Sequence, residues 1–219
     1  MLELNGRDQV GTIYDTSTWR ERWVWSIVPE GVEPLVAGSW VQIDGRVVIE
    51  EDVEIGNSCR LGSGVTIDKG CVLGEKVSVG EWSRISPNVT LGYHTTLYQD
   101  VVIGEGSTLG KFVKVGESSA LRGKCTLADE KELGGGSYIN NTRIQDGVCE
   151  ILHDLGFADE YRKLLCSSKG VAYIGAGCRW FTLEEALRHW GNHEEDRLAT
   201  MALMESAKAL ASLHKLKYS

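Results

Sequence analysis

Proline is nearly missing from this chain, with 3 in 219 residues against 26 glycines. Such a chain makes its reversals with glycine and holds no proline-rich spacer. No apolar run approaches the ~20 residues of a membrane helix. The stretch from Met1 to Gly11 also lacks the apolar segment of a secretion signal, so the expected location is the cytoplasm. Basic excess is absent as well. A net charge of −8 argues against general nucleic-acid binding, which needs a cationic face for phosphates. The one dense acidic run, Asp44, Glu50, Glu51, Asp52 and Glu54, reads as a solvated surface, with mimicry of a nucleic acid as the alternative. Six cysteines occur, at 59, 71, 125, 149, 166 and 178, but none forms a CxxC pair. Reduced thiols packed as small apolar groups are expected, and no metal site.

What is present is period. From Ile43, every sixth residue through Ile139 is Leu, Ile or Val, seventeen in succession without an insertion. Four residues after each aliphatic stands a small or β-branched residue: Val47, Val53, Cys59, Val65, Cys71 and so on, with Lys131 breaking the series. The small residue and the next aliphatic are two apart, so both point to one side of a short strand. Glycine follows the aliphatic in nine of the seventeen repeats, as at Gly56, Gly74, Gly92 and Gly116, and is expected there for its freedom to adopt positive φ. Three hexads then close a triangular coil of 18 residues, and the next coil stacks about 4.8 Å above it. The interior becomes a set of columns, one of them Ile49, Ile67, Ile85, Ile103, Leu121 and Ile139. Each buried aliphatic contributes about 1.5–3 kcal/mol before the entropy cost, enough for a self-sufficient prism.

This spacing resembles the hexapeptide-repeat family, whose pattern is [LIV]-[GAED]-x-x-[STAV]-x. The resemblance implies a mainly β fold, a left-handed parallel β-helix, and a homotrimer. It also brings two kinds of chemistry, acyl-CoA-dependent acyl transfer and γ-class carbonic anhydration, beside members with neither.

Three regions are expected: an N-terminal cap over 1–40, the β-helix over 41–144, and a C-terminal α/β-to-helical extension over 145–219. The first carries Trp19, Trp23, Trp25 and Trp40, with Trp23, Trp25 and Ile27 alternating as in a strand. An open coil end exposes a sheet edge, so covering it is the expected task of this segment, and an aromatic ligand platform is the alternative. In the extension, Tyr161–Leu165 and Val171–Ile174 read as short strands or a strand and a helical turn. Thr182 with Glu185 forms a capping box for a helix from Leu183 to about Trp190. Asn192 with Glu195 restarts a second helix to about Leu213, whose face of Leu203, Met204, Ala207, Leu210 and Ala211 packs on the prism or on a neighbouring subunit. The stretch Gly170–Trp190 resembles tails of phage-encoded accessory proteins.

Candidate chemistry centres on His94, the one histidine within the coils, three residues after Leu91 at an outward corner. Among hexapeptide acyltransferases a surface histidine takes the proton from the acceptor, and the resemblance gives that role to His94. Lys76 lies one coil below it and Phe112 one coil above, and no carboxylate flanks it. Lys111, Lys114, Arg122 and Lys124 are candidate holders of the phosphates of acetyl-CoA or CoA, with solvated surface cations as the bland reading. One coil histidine cannot supply the three that γ-type zinc needs, and His189 and His193, interrupted by Gly191 and Asn192, lack a third ligand. Two functions follow. The sequence favours, narrowly, a trimeric scaffold that binds a macromolecule or small ligand, including a protein partner through the C-terminal helices and no membrane. The alternative is an acyltransferase with His94 as base.

Overall fold

The computed structural model describes residues 2–5, 9–10, 25–26, 36–38, 40–140, 148–158, 161–177, 179–191 and 197–218. The hexads form a parallel β-solenoid of about 5 turns. Its first face stacks Arg46–Ile49, Thr66–Ile67, Arg84–Ile85, Val102–Ile103, Ala120–Arg122 and Tyr138–Asn140. The second face stacks Val36–Ala37, Glu54–Ile55, Val72–Leu73, Thr90–Leu91, Thr108–Leu109 and Lys124–Leu127. The third runs from Gln42–Ile43 to Glu132–Leu133. Successive coils pair in register 18 residues apart, as Ile49 with Ile67 and Ile85 with Ile103. All six residues of the Ile49-to-Ile139 column are buried.

The small positions divide by chemistry. Where they are Val they only fill space. Where they are polar, several side chains donate to a carbonyl of the next coil: Cys59 to Gly74, Cys71 to Ser86, Ser83 to Tyr98 and Thr95 to Gly110, at 2.8–3.1 Å, while Ser137 donates to Gly134 O within its own coil at 2.7 Å. Buried polar groups thus find partners within the ladder. Burial raises the thiols of Cys59 and Cys71, the latter to about 11, so they stay protonated. Cys59, Cys71, Cys125, Cys149 and Cys166 are all free and buried, while Cys178 lies outside the described residues.

The glycines act differently from the sequence expectation. Gly56, Gly74, Gly92 and Gly116 do not carry positive φ. Left-handed φ falls two residues later, largely on ordinary side chains: Trp40, Ser58, Lys76, Trp82, His94, Phe112 and Glu130 all lie between 57° and 66°. The amides of Lys76, Trp82, His94, Phe112 and Glu130 each donate to a carbonyl of the coil below, as His94 N–H does to Glu75 O at 2.9 Å, which offsets the cost of the conformation. The glycine one after the aliphatic is there for space. A Cβ on Gly56 would stand 2.6 Å from the Glu75 nitrogen and from the Gly74 carbonyl carbon, both backbone. Gly56→Ala is expected to cost about 1–3 kcal/mol in urea unfolding.

At the N-terminal end, Leu2–Asn5 pairs antiparallel with Arg46–Ile49 and closes the first face. Strand Trp25–Ser26 pairs with Gln9–Val10. Trp19, Trp23 and Ile27, and with them most of the expected cap or aromatic platform, lie outside the described residues.

At the other end the prism does not stop with the hexads. Val148–Phe157 adds in parallel to Lys124–Leu127, setting Cys149 on Cys125 and Ile151 on Leu127. Arg162–Ser168, Val171–Ala176 and Arg179–Thr182 then extend the second face antiparallel to ten strands. The capping box forms: Thr182 N–H donates to Glu185 Oε2 at 2.9 Å and Glu185 N–H to Thr182 Oγ1 at 3.1 Å, opening helix α1 (Leu183–Gly191). Helix α2 (Arg197–Leu213) buries Met204, Ala207 and Ala211 against Leu165, Ala172 and Ile174. Its apolar face therefore packs on the C-terminal strands. The expected cap at Asn192 and Glu195 lies outside the described residues.

Candidate active-site edge of the solenoid

The corner between the second and third faces collects the residues with chemistry. Reading up the coils, its left-handed positions are Trp40, Ser58, Lys76, His94, Phe112 and Glu130, and the positions just before them include Asn57, Glu75, Tyr93, Lys111 and Asp129. Parallel register forces this stacking, because every coil spends the same 18 residues.

His94 is exposed, and its ring stacks on Phe112 with centroids 5.6 Å apart and 26° between planes. Tyr93 meets His94 edge-on at 5.8 Å and Phe112 at 5.3 Å. Lys76 Nζ donates to the Tyr93 hydroxyl at 2.9 Å and lies 5.3 Å from the ring centroid. That hydrogen bond holds the ammonium above the ordinary lysine range. Below, Asn57 Nδ2 donates to Glu75 Oε1 at 3.0 Å. Among the described residues no side chain hydrogen-bonds the His94 imidazole, so both ring nitrogens face solvent or a ligand. Sequence reasoning placed Lys76 and Phe112 in register correctly but missed Tyr93, which ties the two together. Its position, one before the histidine, was the available signal.

The four candidate cations are not brought together. Lys111 shares the His94 corner, one residue from Phe112, and its amide donates to Asp129 Oδ1 at 2.8 Å. Lys114 points outward from the third face and pairs with Glu132 at 3.2 Å. Arg122 and Lys124 flank Gly123 on the corner between the first and second faces, with Arg122 5.5 Å from the Tyr138 ring centroid. A prism face separates them from His94.

Of the other histidines, His189 stacks on Phe181 at 4.9 Å, and His193 lies outside the described residues. Among the described residues no three His, Cys, Asp or Glu side chains converge as metal ligands. Nor is any described helix long and apolar enough to cross a membrane.

Residues 43–150, just under half of the chain, match the family model described as the GMPPB C-terminal domain. No curated protein matches. Among solved structures, the acetyltransferase domain of PglB from Neisseria gonorrhoeae, in complex with acetyl coenzyme A, is 19% identical over 48% of this chain and 54% of its own, with a TM-score of 0.31. PerB from Caulobacter crescentus, in complex with CoA and GDP-perosamine, is 13% identical over 53% of this chain and 55% of its own, with a TM-score of 0.24. A hexapeptide transferase family protein from Anaplasma phagocytophilum is 17% identical over 78% of this chain and 95% of its own, with a TM-score of 0.28. The chain spans about half the length of the first two. Hexads in sequence and coils in space coincide, and the chain is a parallel β-solenoid built on hexapeptide repeats, as in the hexapeptide-repeat family.

Proposed function

We propose that this chain is an acyl-CoA-dependent acyltransferase whose working edge is the corner between the second and third faces, with His94 as general base. The observation that carries the reading is the one exposed imidazole of the coils, stacked on Phe112 and edge-on to Tyr93, with no side-chain hydrogen bond to its nitrogens among the described residues. In this reading an imidazole nitrogen accepts the proton of an acceptor amine or hydroxyl as its lone pair attacks the thioester carbonyl. A C–N or C–O bond forms, the C–S bond breaks, and the imidazolium returns the proton to the departing sulfur, so CoA leaves as the thiol. Phe112, nearly half exposed at 47%, offers an apolar wall for the acyl arm. Of the four candidate cations, Lys111 is the one at this corner, beside the Lys76 ammonium already bonded to Tyr93. Lys114, already paired with Glu132, and Arg122 with Lys124, a face away, are set aside for that role. A homotrimer, in which a neighbour's face would close the edge into a cleft, belongs to the same reading.

Calorimetry with acetyl-CoA tests it. Micromolar binding that weakens roughly tenfold in Lys111→Glu, a loss of about 1.4 kcal/mol, is the expected result. No heat at millimolar acetyl-CoA would sink the assignment. The second reading, a binding scaffold, is favoured by Trp82 and Tyr98, 68% and 49% exposed at the next corner. It expects no heat with acetyl-CoA.

A further inference from the structure

Outside that edge, one pair of ionisable side chains joins two elements that are distant in the chain. His153 Nε2 and His214 Nε2 lie 2.9 Å apart, with ring centroids at 5.2 Å, although 61 residues separate them. Two local devices bring them there. The pairing of Val148–Phe157 with Arg162–Ser168 slips between Ile151 and His153, and such a bulge re-aims the side chain beside it. Helix α2 ends in a tight reversal, with Lys215 at φ 55° and Leu216 N–H donating to Ala211 O at 2.9 Å, which fixes His214 at the helix C-terminus. One ring therefore donates its Nε2–H, and the other accepts on an unprotonated Nε2 while carrying its hydrogen on Nδ1.

Nothing around the pair compensates a second positive charge. Lys131, just ahead of Glu132–Leu133, is the charged group that acts on His153 besides His214. Charged side chains of the neighbouring elements are engaged elsewhere. Glu150 accepts from Ser167 Oγ at 3.1 Å, Asp154 accepts from Arg162 at 2.8 Å, and Lys163 Nζ donates to Tyr161 O at 2.9 Å. On α2, Glu205 pairs with Lys208, and Lys124 stands opposite Val148 at the other end of its strand pair. Among the described residues no carboxylate hydrogen-bonds either imidazole.

We propose that His153 and His214 form an acid-sensitive latch between α2 and the strand that continues the solenoid, closed while at least one ring is neutral and opened when both are protonated. A doubly protonated pair carries a hydrogen on each Nε2 and has no acceptor left. It also sets two like charges at hydrogen-bond distance, with the Lys131 ammonium as a third. Burial, Lys131 and His214 together hold the His153 imidazole below its ordinary pKa, which fixes the sign. The unfolded chain takes up this proton more readily than the folded one, so the stabilisation is complete above about pH 6.5 and is lost as the pH falls below it. The end of α2 is what opens, together with the segment behind it. There Lys217 O accepts from Ala172 N–H at 2.7 Å, and Tyr218 O accepts from Glu184 N–H, at the start of α1, at 3.2 Å. Loosening at His214 thus reaches both Val171–Ala176 and α1.

The test is a double-mutant cycle with His153→Ala and His214→Ala, read by urea unfolding of the full chain at about pH 8 and about pH 5, either side of the ordinary histidine pKa. At the higher pH a coupling of roughly threefold to tenfold in the unfolding constant is expected, the usual net contribution of a hydrogen bond. At the lower pH it should vanish or change sign. Histidine-ring NMR spectra of the parent chain over the same range need no substitution, and the two rings should titrate as a coupled pair in two separated steps. Coupling that is equal at the two pH values, or rings that titrate as independent groups, would overturn the proposal.

Discussion

Ile103→Ala is expected to destabilise the chain by about 2–5 kcal/mol, the range for truncating a fully enclosed aliphatic. Ile103 is wholly buried and sits between Ile85 below and Leu121 above in a column where each residue rests on the next. The backbone cannot collapse into the gap, because ladder hydrogen bonds from Ser86 to Ile103 and from Gly104 to Leu121 hold the coil spacing on either side. The cost should thus fall in the upper half of that range. For a domain of this size each kcal/mol lowers Tm by about 2–4 °C, so a drop on the order of 10 °C is anticipated in a thermal melt. Ile103→Val leaves most of the volume filled and should cost only about 0.5–1.5 kcal/mol. Equal effects from the two substitutions would mean that the column is not close-packed.

His94→Ala should lower kcat for acyl transfer by about 10²–10⁴, the usual contribution of a positioned general base. The side chain is exposed and its φ of 59° is tolerated by residues as different as Ser58, Lys76 and Phe112, so truncation should leave the coil intact. A small change in the affinity for acetyl-CoA is expected, since Phe112 and Lys111 remain. The assay is release of free CoA thiol against a panel of amine and hydroxyl acceptors. Turnover that survives His94→Ala unchanged would remove the central claim, whatever acetyl-CoA binding shows.

The repeat was legible because burial imposes it: every aliphatic on the hexad faces the same axis, and any exception would place a polar group in the core. Lys131, which interrupts the small positions, sits where the coils give way to the extension and is only half-buried. The true position of left-handed φ was not legible, since Trp40, Lys76, His94 and Phe112 reveal no preference for it. There the conformation is imposed by the hydrogen bond to the coil below. The continuation through Cys149 and Ile151 keeps the six-residue phase but returns 24 residues after Cys125 and Leu127, one hexad more than a coil, and Gln145 at the intervening aliphatic position ends the unbroken run before it. Cys149-Glu150-Ile151 nevertheless repeats the small–polar–aliphatic pattern of Cys125-Thr126-Leu127. At the candidate site, register alone predicted the Lys76–His94–Phe112 stack. The place of Tyr93 beside His94 was in the sequence, but the contacts it makes depend on rotamers, and His153 meets His214 only through tertiary packing.

Because each coil bonds only to the one above and the one below, the length of this solenoid is a quantised variable. Removing 18 consecutive residues from the middle returns every remaining side chain to its own corner, whereas removing 17 rotates the interior onto the surface for all that follows. Such a molecule can gain or lose whole storeys in evolution without redesigning its core. Each storey also arrives with three fresh corner positions that packing leaves largely unconstrained. The same rule that stacks the aliphatics aligns whatever chemistry is written on an edge, so a vertical row of unlike side chains comes at no cost to the fold.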